Sequence, residues 1–251
     1  MRRLIFNADD YGLTPGVSAG ILAARAGVVR ATTVLANLAP PAALHALADS
    51  GLSIGCHLNL SLGRPLSPGY PAELLDPAGN FVKALALDPA TWEPPARRDT
   101  ALAEWEAQLW RLEQAGLRLD HLDSHHHAHL LDPLFRTALG LARRWRLALR
   151  CDSTHLEAAR IAGVPATDSF IASFFGREAI TREALLAALS RAEGETVEVM
   201  CHPGQADPAL SAISSYVDER ETELKLLGNP ALAHELESAG WRLCGFNDGL
   251  G

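Results

Sequence analysis

The sequence predicts an α/β protein: an irregular barrel of parallel strands wrapped by helices, related to the (β/α)₈ type. Apolar, β-branched runs alternate with amphipathic runs along the whole 251-residue chain, and such alternation builds a parallel sheet covered by helices. Roughly seven strand–helix units can be counted, which suits a barrel better than an open sheet. No glycine-rich phosphate loop follows the first strand, so a dinucleotide-binding arrangement has no direct support. No linker-like stretch breaks the pattern, and residues 1–251 are expected to form one domain.

The elements follow in order. "RLIFNADD" reads as a strand ending in acidic residues, and "TPGVSAGILAARAGVV" as a helix with Thr14 as N-cap and Pro15 at its first position. "RATTVLAN" is a β-branched strand, "PPAALHALADSG" a short helix closed by Gly51, and "LSIGCHLNL" a strand. From Ser61 to about Pro95 the chain is rich in Pro and Gly and weakly periodic. Connections of that length are usually functional. This one follows the strand bearing His57 and is expected to wall a substrate cleft. Asp99 to Gly116 is helical, with an Asp start and a Gly stop. "LRLDHLDS" is a strand, "DPLFRTALGLARRWR" a helix with Asp132 as N-cap, and "LALRCDS" a strand. "DSFIASFFG" is a further strand candidate, "TREALLAALSRAEG" a helix opening at Thr181, and "TVEVMCHPG" a strand. "ERETELKLLG" and "NPALAHELESAG" are helical, and "WRLCGFNDG" closes the chain as a strand.

Composition narrows the function classes. A net charge of −8 argues against a nucleic-acid binder, which needs a basic face. No apolar run approaches the ~20 residues of a membrane span. The opening "MRRLIFNADD" has too short an apolar run for a signal peptide. A cytoplasmic protein without nucleic-acid or membrane partners is expected. The four cysteines, Cys56, Cys151, Cys201 and Cys244, form no CxxC pair. Cys56, Cys151 and Cys201 each adjoin a candidate site residue on a strand, where neighbours face opposite ways. They are expected to be buried, reduced thiols.

In barrels of this kind the active residues sit at the carboxyl ends of the strands. Here the strands end in Asp9–Asp10, His57, Asp123 with His125, Arg150 and His202. Singly, each has an ordinary explanation: an Asp-Asp pair in a loop or cap, a packed histidine, a turn before Pro203. Scattered polar residues would not all fall on one side of the strands, so the collection reads as a built site. The run "HLDSHHHAHL" holds five of the ten histidines and lies mid-chain, where an expression tag would not. Read as a strand, it puts His125 and His127 on one face, and by spacing either could be a ligand. His45, His155 and His234 fall on helices or loops and are assigned nothing.

Two imidazoles and a carboxylate from separate strands suit a divalent metal that keeps open positions. On a regular strand adjacent aspartates cannot both face one metal. One can bind it while the other takes a proton from the attacking water. A protonated histidine opposite could supply the leaving group, and an arginine would hold the base charged and oriented.

At these residues the sequence resembles a known family. "NADDYGLTPGVSAGI", "TTVLAN", "GCHLNLSLGRPLSP", "HLDSHHHAH", "ALRCDS", "EVMCHPG" and "RETELKLL" resemble the YdjC-like carbohydrate deacetylases, the family of chitooligosaccharide deacetylase, in order from Asn7 to about Leu227. The resemblance implies an irregular (β/α) barrel related to the polysaccharide deacetylase (NodB-like) barrel. It implies a hydrolase that removes acetyl groups from N-acetylated sugars such as chitooligosaccharides. Carried over by position, Asp10, His57 and His125 would bind a divalent metal, Mg²⁺ or alternatively Zn²⁺. Asp9 would be the general base, His202 the general acid, and Arg150 the group that orients the base. His127, His129 and Asp123 would support the site or touch substrate. An N-acetylated sugar is the expected partner, and a homodimer the expected assembly. Between Ser61 and Pro95 little matches beyond "LGRPLSP", so sugar specificity does not carry over. Two competing readings are weaker. A non-catalytic sugar- or metal-binding protein leaves Asp9 and His202 without roles. A two-histidine, one-carboxylate iron oxygenase shares the ligand set but calls for a jelly roll, which the helix-rich alternation contradicts.

Overall fold

The computed structural model describes residues 1–250. The chain runs β1 (Arg2–Tyr11), α1 (Pro15–Ala24), β2 (Val29–Val34), α2 (Pro41–Ala48), β3 (Ser53–Leu58), α3 (Lys83–Ala86), α4 (Pro89–Trp92) and α5 (Pro95–Gln114). It continues with β4 (Leu119–Ser124), α6 (Asp132–Trp145), β5 (Ala148–Leu149), α7 (Leu156–Ile161), β6 (Ser169–Ile171) and α8 (Arg182–Arg191). The last elements are β7 (Thr196–Cys201), α9 (Pro208–Ile213), α10 (Asp218–Leu227), α11 (Pro230–Ser238), β8 (Trp241–Leu243) and α12 (Phe246–Gly249).

The strands form one sheet in the order β5-β4-β3-β2-β1-β7-β6, and β8 pairs the start of β1 over Arg2–Leu4. Every pairing between these strands is parallel. The sheet curls into a half-barrel, so the expected α/β barrel is present in irregular form. Its two edge strands are very short, and no ladder joins β5 to β6 among the described residues. Side chains bridge that gap: the Arg150 guanidinium lies over the Phe170 ring, 4.8 Å from its centroid. Central β1 is almost wholly buried, as expected of a parallel strand covered on both faces.

Local signals explain most boundaries. Thr14 caps α1 by accepting the Val17 N–H, with Pro15 at the first position. Thr181 caps α8 through the Ala184 N–H. Two helix starts differ from expectation by position. α5 opens at Pro95 rather than Asp99, because Pro is pre-organised for a first turn and the Ala96–Arg98 stretch continues it well. α6 has Leu131 rather than Asp132 at its N-cap, and Asp132 lies in the first turn, where its charge meets the positive end of the helix. The closing segment is strand only over Trp241–Leu243 and then turns into α12.

The Pro/Gly-rich stretch is ordered and is tied down from α5. Glu104 is fully buried and accepts the Leu66 and Ser67 N–H groups at 2.9 and 2.7 Å. Gln108 accepts the Asn59 N–H at 2.9 Å and donates to the Asn59 carbonyl at 2.6 Å. The four cysteines are free and buried, as expected. No helix among the described residues is long and apolar enough to cross a membrane.

Candidate active site

β1 delivers two adjacent carboxylates to one cleft, which a regular strand cannot do. The register between β1 and β2 shifts between Ala8 and Tyr11, and Asp10 takes a positive φ of 72°. That left-handed conformation is unusual for a residue other than glycine. It breaks the alternation, and both Asp9 and Asp10 line the cleft. A strained residue of this kind persists only where its surroundings over-determine it. Here they do: the Asp10 carboxylate is buried between His57, His125 and Arg220.

Oδ1 of Asp10 lies 3.3 Å from His57 Nε2 and 2.9 Å from His125 Nδ1. The candidate ligand atoms of the three residues all lie within 4.8 Å of one another. Oδ1 is buried, yet no donor meets it in hydrogen-bond geometry. Three lone-pair donors converging without bonding one another fit a metal ion. Charge points the same way. Four buried carboxylates, Asp9, Asp10, Asp123 and Glu198, face two buried guanidiniums, Arg150 and Arg220. Carboxylates outnumber guanidiniums here, and Glu223, also buried, lies beside Arg220, so a cation would offset a local excess of negative charge. Without the ion the protein's own protons answer that excess: burial disfavours a charged His57, but the charge of Asp123 beside it and the nearby carboxylate oxygens of Asp10 and Asp123 push its pKa up to about 10. Burial likewise disfavours a charged Asp10, and His125 and Arg220 outweigh it, holding the carboxyl well below its usual range.

A second layer fixes the ligands. Asp123 Oδ1 sits 2.7 Å from His57 Nδ1. A proton on Nδ1 makes that bond and leaves the Nε2 lone pair free for a metal. Thr33 Oγ1 donates to Asp123 Oδ2 at 3.0 Å. Arg150 is fully buried and grips Asp9 with both terminal nitrogens, at 2.7 and 2.8 Å. It also pairs Asp123 at 2.9 Å and Glu198 at 2.7 Å. Asn7 adds a donor to Asp9 Oδ1 at 2.8 Å. Burial alone would raise the Asp9 pKa, but the Arg150 charge and hydrogen bonds overcome it and keep Asp9 ionised far below the carboxylate range.

His202 enters from the end of β7, and its backbone N–H donates to Glu223. Burial, opposed by the charge of Asp9, lowers its pKa to about 4, so the imidazole is neutral near pH 7. Its Nδ1 has no hydrogen-bond partner among the described residues. The cleft encloses about 600 Å³ and is walled on one side by Ser61, Leu62 and Lys83. Part of the Ser61–Pro95 stretch thus lies where expected. Phe175 and the Ile213–Tyr216 segment supply the opposite wall.

The structure therefore gathers Asp9, Asp10, His57, His125 and His202 in one cleft, with Arg150 and Asp123 directly beneath it. The histidine run departs from the strand reading. β4 ends at Ser124, and His125–Leu130 form a 3-10 turn in which His126 and His127 have φ of 56° and 54°. Ser124 Oγ closes that turn by accepting the His129 N–H at 2.9 Å. His125 and His127 consequently share no strand face. His125 joins Asp10 and His57, while His127 lines the cleft outside that cluster. His129 is fully buried, with Nε2 3.0 Å from the Arg150 carbonyl, and does not line the cleft. Four functional candidates escaped the sequence reading: Arg220, Glu223, Asn7 and Phe175. Arg220 and Glu223 lie inside "RETELKLL", where both are buried, and a charged pair three residues apart on a helix reads from sequence as an ordinary solvated face.

With this geometry in hand, comparison with known proteins is decisive. A model of the YdjC-like protein family matches residues 3–238. The chain belongs to the YdjC-like family. A YdjC-like relative from Geobacillus stearothermophilus, named carbohydrate deacetylase, is 38% identical over 98% of each chain. A solved Enterococcus faecalis protein, described as a candidate cellobiose-phosphate cleavage protein, superposes with a TM-score of 0.86 at 31% identity, covering 100% of this chain and 99% of its own. The peptidoglycan N-acetylglucosamine deacetylase Bc1960 is 13% identical and matches with a TM-score of 0.51, covering 99% of this chain and 87% of its own. That likeness concerns the fold alone: the two chains share a curled parallel barrel.

Proposed function

We propose that this YdjC-like protein is a metal-dependent hydrolase that removes acetyl groups from N-acetylated carbohydrates of the chitooligosaccharide kind. One observation carries the reading: Asp10, His57 and His125 converge in the same cleft as an arginine-clamped carboxylate, Asp9, and an imidazole, His202. Relatives named carbohydrate deacetylase support the choice of bond and substrate class. The iron-oxygenase alternative calls for a jelly roll, and the sheet here is parallel.

Asp10, His57 and His125 would hold the ion, which when bound polarises the acetyl carbonyl and acidifies water. Two imidazoles and one carboxylate favour Zn²⁺ over the Mg²⁺ that the resemblance implies, because Mg²⁺ prefers an all-oxygen shell. Asp9 takes the proton of the attacking water at a carboxylate oxygen. Arg150 keeps that carboxylate ionised and fixes its plane, at the expense of proton affinity. The water proton taken by Asp9 must reach the departing amine, and His202 can carry it there only once protonated, because its imidazole is neutral near pH 7.

A second assignment of the proton carriers is favoured by a specific observation. Both Asp9 oxygens already accept hydrogen bonds, Oδ1 from Asn7 and Arg150 and Oδ2 from Arg150, whereas His202 Nδ1 has no partner. In that assignment neutral His202 is the base and Asp9 supplies only negative charge. Acetate release from N-acetylated oligosaccharides tests the function. Activity should vanish on chelation and return with added divalent ion. No acetate from any acetylated sugar under metal-loaded conditions would overturn the reading.

A further inference from the structure

Phe175 and Tyr216 form a parallel stacked pair in the wall of the cleft, with ring centroids 4.4 Å apart and planes at 8°. They come from separate connections, Phe175 between β6 and α8 and Tyr216 between α9 and α10. Tyr216 is held firmly: its hydroxyl donates to Glu223 Oε1 at 2.6 Å and accepts the Gly176 N–H at 3.2 Å. Phe175 rests on this anchored ring and meets the His202 ring edge-on at 5.4 Å. It nevertheless remains 50% exposed. Its exposed surface lies inside the cleft, beside the candidate catalytic imidazole, where a bound substrate would cover it.

The identity of that occupant rests on the deacetylase reading above. The amine released from an N-acetylated sugar is attached directly to a pyranose carbon. Bringing that nitrogen within reach of His202 brings the sugar ring along with it, and beside His202 the flat apolar surface is Phe175. Aromatic faces are electron-rich and attract the weakly positive edges of other groups, such as the axial C–H bonds of a pyranose. We propose that Phe175, backed by Tyr216, is the platform on which the acetamide-bearing sugar ring stacks. The platform accepts a ring that presents an uninterrupted C–H face and disfavours an epimer with an axial hydroxyl there. It thus selects among acetylated sugars without taking part in proton transfer.

Calorimetric titration with the glucosamine disaccharide, which has no acetyl group to lose, reads the platform independently of turnover. Acetate release from the N-acetylglucosamine disaccharide supplies KM and kcat. Phe175→Ala should weaken disaccharide binding and raise KM by about tenfold, with a smaller change in kcat, and Phe175→Trp should restore both. If Phe175→Ala does not fold, Phe175→Leu removes the aromatic face while keeping bulk, and the same shifts are expected. Unchanged affinity in these variants, or a fall in kcat with affinity intact, would overturn the proposal and make Phe175 a support for His202. Sugar binding that depends on Phe175 without acetate release from the wild type would sink the deacetylase reading and leave the platform standing. Failure of the wild type to bind the disaccharide would remove the platform.

Discussion

Arg220 Nη2 stands 2.6 Å from Asp10 Oδ2, on the oxygen opposite the one that faces His57 and His125. The carboxylate is thus divided, with one oxygen neutralised by a guanidinium and the other turned to the candidate metal position. Asp10 can then offer a single oxygen in a fixed direction, and Arg220 also offsets the cost of burying that charge.

This relationship makes the stability of the protein depend on the ion in a specific way. Arg220→Met should cost the chelated protein on the order of 3–5 kcal/mol, the usual loss when one partner of a buried pair is removed. The metal-loaded protein should lose less, because a bound cation takes over the neutralisation of Asp10. Thermal denaturation with and without chelator checks this. Equal losses in both states would show that Arg220 acts through packing alone.

Asp123 should govern metal affinity without touching the ion. It holds His57 through Nδ1 at 2.7 Å and so decides which ring nitrogen is left for coordination. Asp123→Asn keeps the shape and an acceptor but loses the charge. Affinity measured by metal titration should fall within the ~10–100-fold range typical of such supporting groups. Unaltered affinity would mean that the His57 tautomer is set elsewhere.

Glu223 gives a test through pH. Burial raises its pKa, Tyr216, the His202 N–H and the Arg220 charge pull it back, and the outcome is about 7 against an ordinary 4.5. The folded state therefore binds this proton more tightly than the unfolded one. The associated stability is fully present below about pH 4.5 and is lost as pH rises through about 7, on the order of 3 kcal/mol. His202 works in the opposite direction: its depressed pKa makes stability rise with pH from about 4 to 6.5. Asp9 and Arg220 also face the pair. The difference between wild type and Glu223→Gln isolates the Glu223 contribution. In urea denaturation the variant should gain on the wild type between about pH 4.5 and pH 8, by up to that amount. A difference that does not vary with pH would mean that Glu223 is ionised in the fold throughout.

The strands, their parallel direction and the rim carrying the polar residues were legible because each rests on local patterning: β-branched runs, the Thr14 cap, carboxylates and imidazoles at strand ends. The exceptions are physical. Asp10 escapes strand alternation through a left-handed backbone that nothing in "NADDYG" announces. His125–Leu130 leave the strand because Ser124 Oγ captures the His129 N–H five residues on, closing a turn that period-two reading does not contain. Arg220 lies 210 residues past Asp10 and Glu223 lies 21 residues past His202, and their roles arise from tertiary packing of α10 against the rim.

The two aspartates should fail differently. Asp10 is placed among the candidate ligands, so Asp10→Ala should lose bound metal and activity together. Asp9 is proposed to serve the reaction and not coordination, so Asp9→Asn should keep the metal and the fold. Arg150 would still be paired with Asp123 and Glu198 at 2.9 and 2.7 Å, so its charge is not left stranded. If Asp9 is the base, the Asn variant should drop turnover by ~10²–10⁴-fold. If His202 is the base, His202→Ala should cause the larger loss, and Asp9→Asn should act mainly by weakening the local negative charge. The acid limb of the kcat/KM profile separates the two assignments further. Dependence on Asp9 places that limb far below the ordinary carboxylate range, because Arg150 holds the group ionised. Dependence on neutral His202 places it below the ordinary histidine range, because burial disfavours the imidazolium. Metal content by elemental analysis and acetate release for the three variants suffice. Metal loss in Asp9→Asn with retention in Asp10→Ala would reverse the roles, and full acetate release in all three would remove these residues from the reaction.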